Sequence, residues 1–88
     1  MFGGETTRVQ IRFINPLLDT VIDRFGKSGA QYAKLDDSHF IITTEVRVSD
    51  QFFSWVCAFG RKAKILYPGS VAADFKAYLD KIREMYET

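Results

Sequence analysis

The sequence predicts an α+β domain, and three observations carry that prediction. Residues 8–13 and 39–48 alternate apolar and polar side chains with a period of two, the mark of strands with one buried face. Phe52, Trp55, Val56 and Phe59 recur at helical spacing, and a glycine stop at Gly60 and a short strand at 62–67 follow at once. Val71, Phe75, Tyr78, Leu79, Ile82, Met85 and Tyr86 then form an apolar stripe along a last helix. Read in order, the chain runs strand, helix, strand, strand, helix, strand, helix. This is the split βαββαβ pattern of a ferredoxin-like sandwich with an added C-terminal helix.

Each element has its own justification. Residues 1–6 are glycine-rich and read as a flexible lead-in or linker, leaving 7–88 as one domain. In the first strand Val9, Ile11 and Phe13 point one way while Arg8, Gln10 and Arg12 point the other. Asn15-Pro16 opens the first helix, with Asn15 as cap and Pro16 at the first helical position; Leu18, Val21, Ile22 and Phe25 form its core face, and Gly26 follows its end. Residues 31–35 are a short strand, and Asp36-Asp37-Ser38 turns the chain into the strand at 39–48. Ser49 or Asp50 caps the second helix, on which Trp55 is expected to lie largely buried against the sheet. Gly60 closes that helix in the left-handed conformation, and Pro68-Gly69-Ser70 ends the last strand. Right-handed crossovers set the first strand between those at 39–48 and 62–67, with the first two helices on one face of the sheet.

Composition bounds the function. Eighty-eight residues, 47% hydrophobic and 15% aromatic, suffice for one small core. A net charge of +1 excludes a uniformly polybasic nucleic-acid binder, so any electrostatic role requires charge gathered on one face. One cysteine forms no internal disulfide, which fits a reducing compartment. The longest apolar run is too short to span a bilayer, and the N-terminus lacks the apolar segment of a signal peptide, so the chain is expected to be cytoplasmic with no membrane partner.

Catalytic chemistry has little to stand on. His39 lies near Asp36 and Asp37, but no second histidine is present, and Asp-Asp-Ser is ordinary turn chemistry. Cys57 has no histidine near it in sequence and sits beside Phe53 on a helix flank, which suits packing. Lys27-Ser28 between Gly26 and Gly29 fails the spacing of a phosphate loop, and Asp19 and Asp23 read as a solvated helix face. The chain is therefore expected not to be an enzyme and to hold no cofactor and no metal.

Two surfaces remain as candidates. The sheet face turned away from the helices carries Arg8, Arg12, Arg47, Lys62 and Lys64 against Glu45 alone, and can hold phosphates or an acidic partner; equally, an open sheet face must be polar. It lacks the aromatic residues on which RNA-binding sheets stack bases. The last helix presents Phe75, Tyr78, Leu79, Ile82 and Tyr86, which pack beside the second helix near Phe53 and Cys57 or meet another subunit.

The run Trp55-Val56-Cys57-Ala58-Phe59-Gly60, the strand Ala63-Lys64-Ile65-Leu66-Tyr67-Pro68 and the closing Met85-Tyr86 resemble the C-terminal extension, the WCX domain, found after WYL domains in bacterial transcription regulators. The resemblance extends weakly to residues 8–13 and 39–48. It implies a regulatory and dimerisation module that helps shape an effector-sensing cleft, in a protein whose upstream WYL and helix-turn-helix domains sense the effector and read DNA. Its implied partners are those domains, a second copy of the chain, and a nucleic-acid or small-molecule effector. No Trp-Tyr-Leu triplet and no helix-turn-helix segment occurs here, so the family's DNA-reading and effector-contacting residues do not transfer. A free-standing ferredoxin-like module binding a small metabolite or single-stranded nucleic acid is the alternative.

Overall fold

The computed structural model of the chain describes residues 6–87. Except for Thr6, the expected lead-in at 1–6 lies outside the described residues. The elements are β1 (Thr7–Ile14), α1 (Leu18–Phe25), β2 (Ala30–Lys34), β3 (His39–Val46), α2 (Asp50–Cys57), β4 (Ala63–Tyr67) and α3 (Gly69–Glu84), with 3-10 turns at Asn15–Leu17 and Gly60–Lys62. The four strands form one sheet in the order β2-β3-β1-β4, every neighbouring pair antiparallel. β1 thus sits between β3 and β4, where right-handed crossovers require it.

One face of this sheet makes the core. Val9, Ile11 and Phe13 of β1, Phe40, Ile42 and Val46 of β3 and Ile65 of β4 are buried together with Val21 of α1, Phe52, Phe53 and Val56 of α2 and Val71 of α3. Phe13 is the hub: its ring stacks on Phe40 at 5.7 Å and takes the edges of Trp55 at 6.0 Å and Phe59 at 5.6 Å. Such geometries add free energy beyond the burial of area. Thr44 is the buried polar residue of the sheet, and its hydroxyl donates to the Gly29 carbonyl at 3.2 Å, which meets the cost of desolvating it.

Local chemistry accounts for the element ends, in several places against expectation. Asn15 does not cap a helix. Pro16 starts a 3-10 turn instead, and Asn15 is drawn to the β2–β3 hairpin: its amide N–H donates to the Ser38 carbonyl and its Nδ2 to the Asp37 carbonyl, both at 2.9 Å. β3 stops at Val46, where its pairing with Thr7 ends, two residues before the expected limit. Lys62 lies outside β4, because its N–H donates to Phe59 O and closes a 3-10 turn. Gly69 and Ser70 belong to the first turn of α3, which Pro68 precedes. Ser49 does cap α2, its Oγ accepting from the Phe52 N–H at 3.2 Å, and Gly60 has φ +59°, the left-handed conformation that spares glycine a Cβ clash.

Trp55 is partly buried and packs against the sheet's core beside Phe13. It lies between α1 and α2 with its ring edge-on to Phe25 at 5.4 Å and to Phe59 at 4.9 Å, and the guanidinium carbon of Arg24 stands 5.5 Å from the ring centroid. Among the described residues no helix is long and apolar enough to cross a membrane.

Phe13→Ala should cost about 3–5 kcal/mol in urea unfolding, as truncating a fully buried aromatic does, and Trp55→Ala less, because part of its ring already meets solvent. Ser49→Ala should cost about 1 kcal/mol. A Trp55→Ala loss that equals or exceeds that of Phe13→Ala would transfer the hub to α2.

Candidate functional site

The strand register orders the open sheet face. Arg8 faces Glu45, Gln10 faces Thr43, and Arg12 lies between Ile41 of β3 and Lys64 of β4. Arg12 and Lys64 are direct cross-strand partners, an arrangement that costs free energy between like charges unless an anion sits with them. Arg8 lies four residues away, about 13 Å along the strand. Its cross-strand partner Glu45 offsets its charge, and that carboxylate also accepts from Thr6 Oγ1 at 2.8 Å. Ile41, half-buried, interrupts the polar surface beside Arg12.

The five predicted cations are therefore not one cluster. Arg12 and Lys64 come together. Lys62 sits in the turn before β4, and Arg47 lies past the end of β3, where it lines a cleft with Arg24 and Ser49. A period of two carried past the ends of the ladder places both on the sheet, but the strands stop short of them. None of the five makes an ion pair among the described residues, whose pairs are Lys34–Asp37, His39–Asp36, Lys76–Asp80 and Arg83 with Asp80 and Glu87.

The apolar stripe of α3 also divides. Phe75 and Tyr78 are half-buried on Phe53 of α2, with ring centroids at 5.5 and 5.6 Å, and α3 rests on both α2 and β4. Leu79 lines a shallow groove with β4. Beyond it α3 outruns its support: Ile82 is exposed, Met85 is 73% exposed and Tyr86 81%. The outer turns thus carry the uncovered apolar surface, and the inner ones belong to the core.

The acidic turn is held by its own hydrogen bonds. Asp36 Oδ1 accepts from the Ser38 N–H at 2.7 Å and meets His39 Nδ1 at 3.0 Å. These bonds hold the Asp36 carboxyl below the usual carboxylate range, the Ser38 backbone bond contributing most. Among the described residues no group of three or more His, Cys, Asp or Glu could hold a metal ion. Cys57 is a free, half-buried thiol at the end of α2.

A carboxyl with a depressed pKa favours the folded state above its unfolded value, about 3.9, and that benefit fades as pH falls through the lower folded value. Asp36→Asn should therefore melt below the parent chain at neutral pH, with the gap closing as pH falls below about 3.9. A melting-temperature difference that stays constant down to strongly acid solution would deny Asp36 this role.

Arg24 is the residue that sequence reasoning missed. It stands 23 positions from Arg47, and no periodicity or motif links them; the fold alone brings the two into one cleft. Among known families, the model of the WCX domain matches residues 5–83, a span that takes in all four strands, α1, α2 and all but the last residue of α3. No curated protein and no solved structure matches the chain. The resemblance first seen around Trp55 thus extends over nearly the whole sequence, and the chain belongs to the WCX domain family.

Proposed function

We propose that this domain is the C-terminal regulatory module of a WYL-type bacterial transcription regulator, acting in the cytoplasm by assembly and ligand contact, not by catalysis. The family match over residues 5–83 is the observation that carries this reading. In finer detail, the sheet and its helices form a ferredoxin-like sandwich, supported by the strand order β2-β3-β1-β4 with every pair antiparallel. The upstream WYL and helix-turn-helix domains sense the effector and read DNA, and the open sheet face turns Arg12 and Lys64 toward the sensing cleft.

Self-association fits the outer part of α3. Ile82, Met85 and Tyr86 leave apolar surface in water, while Asp74 and Lys81 lie one on each side of Tyr78 along the same groove. Two α3 helices packed antiparallel about a two-fold axis would cover that surface and set the Asp74 carboxylates against the Lys81 ammonium groups.

Sedimentation velocity on the purified chain should reveal a concentration-dependent dimer. Ile82→Glu combined with Met85→Glu should give a monomer with an unchanged circular dichroism spectrum. A strict monomer at high concentration would remove the dimerisation role. Fluorescence anisotropy with a single-stranded oligonucleotide should detect weak, sequence-insensitive binding that falls as salt rises, because phosphate contacts release counterions. Arg12→Glu with Lys64→Glu should abolish it. Binding that survives both reversals and high salt would move the contact off this face.

A further inference from the structure

At the end of the sheet where β3 passes into α2, an open cleft of about 350 Å³ is lined by two arginines. Arg24 comes from the last turn of α1 and Arg47 from the connection before α2. Neither has a carboxylate within ion-pair distance among the described residues, whose ion pairs all involve other groups. We infer that this cleft binds the phosphate group of a small phosphate monoester.

Two arginines on the wall of one cleft, with Arg24 able to swing from its place over Trp55, bring positive charge to it, and their planar forks suit the oxygens of a phosphate dianion better than a single-point cation would. Ser49 and Gln51 line the same cleft and add polar side chains beside the first turn of α2, whose leading N–H groups have no carbonyl within the helix. Glu45 is the opposing charge in the lining, and one of its oxygens is already engaged by the Thr6 hydroxyl. Asp50 borders the groove on the α3 side of α2 and not this cleft. Phe25 and Phe52 supply an apolar wall. The volume lies near the lower end of small-molecule sites, about 300 Å³, and exceeds what a bare phosphate fills, so the apolar wall is left for an organic substituent. This site lies apart from Arg12 and Lys64 and does not depend on the regulatory reading.

Trp55, the chain's one tryptophan, is the reporter, because Arg24 lies over its ring. Titration with inorganic phosphate at constant ionic strength should change Trp55 fluorescence saturably, as Arg24 is drawn toward the anion. Acetate should leave it unchanged. Phenyl phosphate should bind more tightly than inorganic phosphate, its ring resting on Phe25 and Phe52.

Arg47→Gln should weaken phenyl phosphate binding by about tenfold, the loss of one charge-assisted contact. Arg24→Gln, followed by calorimetry because it also removes the reporter's neighbour, should do the same. Arg61→Gln, which removes an exposed cation from the turn at Gly60–Lys62, should leave binding intact. Two results would overturn the assignment: no saturable response to either phosphate, or equal affinities in the parent chain and both cleft variants. Equal affinity for inorganic and phenyl phosphate would overturn the monoester class.

Discussion

The packing of Phe13 is the contact on which the rest of the structure depends. The central strand β1 delivers this side chain to the middle of the sheet's covered face, where its ring touches Phe40 of β3, Trp55 of α2 and Phe59 before the turn into β4. One residue thereby ties together a neighbouring strand, a helix and the connection to the other neighbouring strand. A domain of this size has few such points, because its surface is large relative to its core. The alternation that aims Phe13 inward also aims Arg12 outward, so core and candidate contact surface come from the same stretch of chain.

Covering only one face of the sheet has two consequences. The open face must be polar enough to remain in water, and the register then decides which charges meet; Glu45 stands opposite Arg8, whereas Arg12 and Lys64 stand opposite each other, with no ion pair to either among the described residues. The helices, for their part, must share a single covered face. α1 and α2 occupy it, and α3 rests on α2 through Phe53 and on β4, which explains why its inner turns are buried and its outer turns are not.

Much of this was legible in the sequence, for reasons that are local. Period-two alternation in β1 and β3, the Ser49 cap and the positive φ of Gly60 all follow from the conformational needs of a few adjacent residues. What escaped was set by partners far along the chain. Asn15 looks like a cap until the β2–β3 hairpin offers it carbonyls at Asp37 and Ser38. Arg47 and Lys62 look like members of the open face, but β3 ends one residue before Arg47 and β4 begins one residue after Lys62. The α3 stripe looks uniform because helical spacing records which residues share a face and not where the neighbouring helix stops.

The same limit explains the cleft at Arg24 and Arg47. Each arginine by itself is an ordinary surface cation, one at a helix C-terminus where the helix dipole favours it and one in a connecting segment. Their convergence follows from the crossover geometry, which lays the end of α1 alongside the start of α2, with the aromatic edges of Phe25 and Trp55 joining the two helices. That aromatic contact packs against the core and ties together the two helix ends that border the cleft. Packing thus fixes the backbone positions from which two like-charged side chains reach one cleft, and part of the cost of bringing them to an anion is met by folding.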